Sequence, residues 1–396
     1  MEIYLDNSAT TRVTEGVKEK LLKAFYEDYG NPSSMHRLGV KAEQYMKDAA
    51  AIIAGSLKVE PKEIIFTSGG TEANNLALIG TALANRRRGS HIITTSIEHP
   101  SVHEPLAYLE ENGFTVSRAP VDASGRLDKE KLLELIMEQT LIVSIMYVNN
   151  EIGSVQEVAK LASAVKDKKK DIIFHVDAVQ AFGKYRIYPK REGIDLLTFS
   201  GHKIHGPKGI GALYVSDKIK LNPIVFGGGH QRGLRSGTEN VPGIAGLGQA
   251  VKEIYTDFDD KIERMYRLKQ KFLREVSRLS DVTVNGVPME CTEDFELDLL
   301  RQSAPHIMSV SFQGVRSEVF LHALEDKGIY VSSGSACSAH HPQPSVTLIS
   351  IGLPKDLMDS TLRFSMSEMT TEEEIDITLE SIRQLLPVLR RYTRKR

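Results

Sequence analysis

Between about Glu63 and Ser216 the chain repeats one pattern, a short β-branched and aromatic run followed by a longer stretch with helical spacing. The runs are IIFTSG, HIITTSI, FTVSRAPV, LIVSIMYV, DIIFHVDAV, LLTFSG and IGALYVS, seven candidate strands in all. Apolar runs this continuous are buried on both faces, and the helices between several of them supply the cover. The pattern therefore predicts an α/β fold with a seven-stranded, mostly parallel sheet. In such sheets ligands collect outside the carboxyl ends of the strands. Three of those ends carry polar residues that a buried run has no need of: Thr71 after IIFTSGG, Asn149 and Asn150 after SIMYV, and Asp177 with Gln180 in HVDAVQ. The site is expected where they converge.

At 396 residues the chain exceeds the roughly 250–300 that a single core serves, so a second unit is expected. A helix starts beyond Pro242, and Phe258 to Leu279 reads as a long amphipathic helix bridging to that unit. VTVNG, IMSVSFQG, IYVSSGSA and TLRFSMS, with helices around Glu318 to Lys327 and Thr371 to Arg390, predict a smaller α+β domain, and the N-terminal dozen residues lie across it. The expected division is 15–257 for the large domain, and 1–14 with 258–396 for the small one. A net charge of −2 gives no general attraction to nucleic acid or to an anionic membrane. The basic runs at Arg86 to Arg88, Lys166 to Lys170 and Arg390 to Arg396 read as solvated helix ends or as a docking surface for an acidic protein. No apolar run is long enough to span a bilayer, and MEIYLDNSATTR lacks the features of a signal peptide, so a cytoplasmic location is expected. The two cysteines, Cys291 and Cys337, cannot build a disulfide framework and lack metal-ligand spacing. A reducing compartment fits, and thiol chemistry here would be catalytic.

LLTFSGHKIHGPKGIG places Lys203 at the exposed crest of a glycine-punctuated turn after a strand. Such a lysine is either a surface charge or a nucleophilic amine able to form a Schiff base with an aldehyde. Ser200 and His202 beside it suit an aldehyde that also carries a phosphate, as pyridoxal phosphate does. In TSGGTEANN, Gly70 and Thr71 fall at a strand-to-helix junction, either a turn with its cap or a phosphate cradle at the positive end of a helix. Asp177 closes a buried run, where a carboxylate wants a cation; a pyridinium nitrogen would serve, and helix capping is the alternative. Gln180 could donate to the ring's phenolic oxygen. His99 in SIEHPSV either stacks on a ring and moves protons or caps the next helix. Asn150 in VNNEIG either bonds cofactor or substrate or helps make a turn.

Taken together, LDNSATT, GNPSSMHRLG from Gly30, TSGGTEANN, EHPSV, VNNEIG, HVDAVQ, SGHKIHGPKGIGALYV, GGGHQRGLRSGTEN and SSGSACSA resemble the cysteine desulfurases. These lie in the class V aminotransferase group of pyridoxal phosphate enzymes of fold type I, and the resemblance runs from Leu5 to beyond Arg363. It implies that Lys203 carries the cofactor, Asp177 and Gln180 tune its ring, and His99 stacks on it. Gly70, Thr71, Ser200 and His202 would hold the phosphate, and Thr238 would reach the phosphate of the partner subunit in a homodimer with shared sites. Arg363 would clamp the substrate carboxylate, with Asn31 and Asn150 adding contacts. Cys337, in the SSGSAC signature of group-one members, would take sulfur from L-cysteine as a persulfide and leave L-alanine. The sulfur acceptor would be an iron-sulfur scaffold or a tRNA-thiolation enzyme. SAHHPQPSVTL departs from the commonest pattern after the cysteine, and RRYTRKR does not match the C-terminal segment associated with scaffold docking. The rival readings are a selenocysteine lyase or other class V enzyme, for which Cys337 would be dispensable, and a non-catalytic scaffold for sulfur-trafficking partners. Cys291 has no assigned role.

Overall fold

The computed structural model describes residues 2–291, 294–333 and 345–393. Its strands are β1 (Ile3–Tyr4), β2 (Ile64–Thr67), β3 (His91–Thr95), β4 (Thr115–Ala119), β5 (Thr140–Met146), β6 (Ile173–Asp177), β7 (Leu196–Ser200) and β8 (Gly211–Val215). After a long helical stretch come β9 (Val282–Asn285), β10 (Ile307–Phe312), β11 (Ile329–Tyr330), β12 (Ser332–Ser333) and β13 (Thr361–Ser365). The seven expected runs form one sheet in the order β2-β8-β7-β6-β5-β3-β4, in which β8 alone runs antiparallel to its neighbours. From β3 the chain steps outward to β4, then returns to β5 and continues the other way through β6 and β7. The carboxyl ends of β3 and β5 therefore flank a topological switch point, where such sheets open a crevice.

Both faces of the sheet are covered, which is why its strands read as unbroken apolar runs. On β6, Phe174 and Val176 pack into one core with Ile53, Val165 and Leu247 from the helices Arg37–Leu57, Val158–Lys168 and Val241–Ile254. Ile173 points the other way, toward Leu76, Val102 and Leu106. The polar His175 is tolerated in the middle of β6 because Ser144 and Thr198 on the adjacent strands meet its two nitrogens at 2.8 and 3.2 Å. Burial pushes its pKa down to about 3, so it stays neutral.

A second core surrounds the antiparallel sheet β12-β13-β10-β9 and contains Phe272, Phe312, Phe320 and Phe364. Ile3 and Leu5 belong to it, and β1 pairs with β11. The N-terminal segment does not end there. Thr11 donates to the His202 carbonyl at 2.8 Å through its backbone N–H and at 2.9 Å through its hydroxyl, so the segment also crosses onto the turn that carries Lys203. Among the described residues no helix is long and apolar enough to cross a membrane.

Candidate functional site

The register between strands brings Met146, Asp177 and Thr198 into one row at the carboxyl ends of β5, β6 and β7. Beyond that row lies a cavity of about 340 Å³. Ten of the residues named from sequence line it: Gly70, Thr71, His99, Asn150, Asp177, Gln180, Ser200, His202, Lys203 and Arg363. Asn31 and Thr238 do not. Both are exposed and share a separate cavity of about 230 Å³ with Phe25 and Tyr29. Cys337 lies outside the described residues.

Lys203 closes the single turn Gly201–Lys203 that follows β7. It is half-buried, not exposed as the turn chemistry predicted, because the N-terminal segment roofs it. Its Nζ donates to the Ala9 carbonyl at 2.7 Å and to the Ser8 carbonyl. His202, beside it, is held neutral: burial first, then the charges of Lys203 and Lys208, push its pKa down to about 4. Its Nδ1 lies 3.3 Å from the Thr10 hydroxyl.

Asp177 ends β6 and is 5% exposed. One oxygen accepts from the Asn74 amide at 2.7 Å and the other from the Val179 N–H at 2.9 Å, so its bonds leave room for a cation on the cavity side. Gln180 donates through Nε2 to the Ser8 carbonyl at 2.9 Å, and His306 meets its Oε1 at 3.3 Å. His99 satisfies both of its alternatives at once. Its Nδ1 caps the helix Pro100–Glu111 by accepting from the Ser101 N–H at 3.1 Å, while the ring lines the cavity. Burial lowers the basicity of that ring, Asp177 opposes the effect, and Lys203 adds to it. Of the asparagine pair, Asn149 builds the turn by accepting from the Glu151 and Ile152 N–H groups, and Asn150 faces the cavity.

Arg363 occupies β13, where an isolated arginine would ordinarily be a surface residue, yet it is 3% exposed. Nη2 pairs with Asp6 at 2.9 Å and Nη1 donates to the Asn150 carbonyl at 2.9 Å, and among the described residues buried Nε meets no hydrogen-bond partner. Asp6 already takes one arm of the fork, so an incoming carboxylate would share the guanidinium with it. Sequence reasoning gave no role to Asp6, Ser8, Ala9, Asn74, Ser101, Glu98 or His306. LDNSATT and TEANN pointed toward four of them, but the side chains and carbonyls they meet lie in distant parts of the chain.

The lining fits pyridoxal phosphate. One wall presents the start of the helical run from Gly70 to Asn85, the Thr71 and Ser200 hydroxyls and the His202 imidazole, a donor set suited to a phosphate. Gly70 lets this wall close up: a Cβ there would fall 2.8 Å from Val179 Cγ2. The same lining also offers one buried carboxylate, Asp177, and the Lys203 amine. Among the described residues no group of three or more His, Cys, Asp and Glu could hold a metal ion.

Comparison with known proteins agrees with this arrangement. The profile of the family described as Aminotransferase class-V matches residues 3–378. The chain is 39% identical over 390 residues to a protein of Dictyoglomus turgidum named cysteine desulfurase IscS, covering 98% of this chain and 95% of that one. It is 42% identical over 374 residues to the putative cysteine desulfurase IscS 1 of Bacillus subtilis, covering 94% and 95%. Among solved structures, a NifS-like protein superposes with a TM-score of 0.89 at 37% identity, covering 98% of this chain and 100% of that chain. The apo cysteine desulfurase of Thermococcus onnurineus gives 0.86 at 26% identity, covering 98% and 95%. On the strength of a profile match across nearly its whole length and relatives of this closeness, the chain belongs to the class-V aminotransferase family.

Proposed function

We propose that the chain is a pyridoxal-phosphate-dependent cysteine desulfurase that converts L-cysteine to L-alanine and keeps the sulfur as a persulfide on Cys337. The observation that carries this reading is the convergence of a lysine amine, a buried carboxylate, a phosphate-type donor wall and a buried arginine on one cavity of about 340 Å³. The cofactor, held by Lys203, Asp177, Gln180, His99, Gly70, Thr71, Ser200 and His202, supplies an electron sink for charge that develops at the substrate α-carbon. Arg363, with Asn150, binds the substrate carboxylate and so orients the α-carbon. Asn31, which lies in a separate cavity, would add a substrate contact from the N-terminal segment. The Lys203 amine removes the α-proton and returns a proton during turnover. The Cys337 thiolate attacks the substrate sulfur. An S–S bond forms, the C–S bond breaks, its electron pair stays on carbon, and protonation of that carbon gives the methyl group of alanine.

The same reading makes the protein a homodimer in which Thr238 serves the partner's phosphate site. Support comes from the exposed side chains near Asn31 in the chain: Phe25 and Tyr29, which share its cavity, are 59 and 69% exposed, and Tyr26 and Met35 are 79 and 100% exposed. Apolar side chains gathered at such exposure are typical of a surface that a second subunit covers. A division into a large unit 15–257 and a small one of 1–14 with 258–396 is supported by the second apolar cluster, which draws Ile3 and Leu5 together with residues from Tyr266 onward, although Ala304 and Ile307 pack into the first. The sulfur acceptor is an iron-sulfur scaffold or a tRNA-thiolation enzyme, and the setting is the cytoplasm.

The test is chemical. Incubated with L-cysteine, the protein should release alanine and gain a reductant-labile mass of about 32 Da on the peptide holding Cys337 and not on that holding Cys291. Cys337→Ser should bind cysteine, shown by spectral change, and release no alanine above background. Undiminished alanine from that variant would favour a lyase that needs no sulfur-carrying thiol.

A further inference from the structure

His99 and Asp177, on neighbouring walls of the cavity, are joined by two side chains that the proposed chemistry leaves unused. Asn74 is fully buried, and its Nδ2 donates to Asp177 Oδ2 at 2.7 Å and to Ser101 Oγ at 2.9 Å. An amide NH₂ can only donate, so Ser101 Oγ accepts that bond. The orientation of the amide is set by Asp177, because a flipped Asn74 would place its own oxygen against a carboxylate oxygen. With Oγ accepting from Asn74, the hydroxyl proton of Ser101 needs an acceptor, and His99 Nδ1 lies 2.8 Å away. The backbone N–H of Ser101 points at the same nitrogen from 3.1 Å. A ring nitrogen that faces two donors carries no proton, which leaves the proton of the neutral imidazole on Nε2.

We propose that Asn74 and Ser101 are positioning residues that lock His99 as the Nε2–H tautomer, with the Asp177 carboxylate as the fixed origin of the chain. His99 then meets bound groups as an N–H donor, suited to an anionic sulfur or carboxylate, and not as a proton acceptor. An imidazolium is opposed because a proton on Nδ1 would confront the Ser101 N–H, and because the ring is largely buried. Of the charged and titratable groups that act on it, Asp177 favours the cation, while Lys203 and His103 disfavour it. The inference rests on the reading of this cavity as the active site, not on the identity of its substrate.

The experiment is nitrogen NMR of protein labelled with ¹⁵N-histidine, with and without added pyridoxal phosphate, the His99 signals being those lost in His99→Gln. At neutral pH, Nε2 is expected to resonate as a protonated nitrogen and Nδ1 as an unprotonated one. Ser101→Ala removes one donor to Nδ1 and should raise the midpoint of the His99 titration by roughly half to one pH unit. Ser101→Thr keeps the hydroxyl and should restore the original midpoint. Asn74→Ala, which removes the donor that holds Ser101 Oγ as an acceptor and so loosens the hydroxyl's aim at His99 Nδ1, should move the midpoint in the same direction as Ser101→Ala. A protonated Nδ1 in the unmodified protein, or a midpoint that Ser101→Ala leaves unmoved, overturns the proposal. Absence of alanine formation by the unmodified protein would sink the desulfurase reading, whereas the nitrogen shifts decide the His99 tautomer independently of turnover.

Discussion

Glu98 sits immediately before His99 and is buried, with Oε1 accepting from the Thr95 hydroxyl at 2.6 Å and from the Met146 N–H at 2.9 Å. Burial drives its pKa up to about 8 against those two bonds, and the Asp177 charge adds to the rise. An acid whose folded pKa is raised keeps its proton while the unfolded chain loses one. Stability therefore falls as pH rises, from the ordinary carboxyl value near 4.5 up to about 8. Glu98→Gln removes that liability, so its unfolding temperature relative to the unmodified protein should climb from pH 5 to pH 8. A difference that stays constant with pH would show that Glu98 is ionised in the fold. Lys203→Ala should abolish alanine formation and cost about 1 kcal/mol of stability, since two backbone carbonyls lose a donor that sequence reasoning did not foresee. Full activity, or global unfolding seen by circular dichroism, would contradict this. The chemistry-bearing residues were legible because each marks the end of an apolar run. Their partners were not: Asn74 meets Asp177 across 103 positions, Ser8 meets Lys203 across 195, and Asp6 meets Arg363 across 357.

At the scale of elements, continuous burial is what made the large sheet readable. Every residue of β5, β6 and β7 is buried, so nothing polar interrupts the runs except His175 with its two hydroxyl partners and the polar groups that serve the site. The helix that begins at Gly70 was legible at its start and not in its interior, where Leu76–Gly80 widens into a π turn. No local pattern marks such a turn, which packs against the helix Pro100–Glu111. IYVSSGSA was legible as a strand and the N-terminal segment as lying across the small domain, but the two-residue pairing of β1 with β11 was not, because a strand that short has no periodicity to read. Gly70 gives a prediction at this scale. A methyl group there would press on the Val179 side chain two residues beyond Asp177, so Gly70→Ala must turn that side chain, shift the helix start or push back the Asp177 loop. Overpacking of this kind costs about 1–3 kcal/mol. We expect a lower unfolding temperature and at least a tenfold weaker retention of pyridoxal phosphate, measured by dialysis and absorbance. Unchanged retention would mean that this junction does not carry the phosphate.

Across the whole molecule, the two cores meet at a buried charge cluster that sequence reasoning gave no hint of. Glu368 follows β13; its Oε2 lies 3.2 Å from His205 Nε2 and 4.0 Å from Lys184 Nζ, which belong to the loops after β7 and β6. Lys184 and His205 are 3 and 2% exposed. His205 holds a left-handed backbone, φ 61°, two residues past Lys203, and is pinned there by Nδ1 against the Arg12 carbonyl at 2.7 Å. That backbone costs on the order of 1 kcal/mol or more, so it persists only because its surroundings fix it. Burial alone would raise the Glu368 pKa, but Lys184 and His205 overcome it and hold the carboxyl at about 2. A depressed acid contributes stability above its unfolded value, near 4.5, and loses it as pH falls toward 2. Glu368→Gln leaves the Lys184 ammonium buried without its counter-charge, a change that typically costs about 3–5 kcal/mol. In urea unfolding at pH 7 the variant should be less stable by an amount of that order, and its stability should fall less steeply between pH 4.5 and 2. Adding Lys184→Met removes the stranded charge and should return most of the loss. If Glu368→Gln matches the unmodified protein at pH 7, or if the double variant is no more stable than the single one, the cluster does not hold the two cores together.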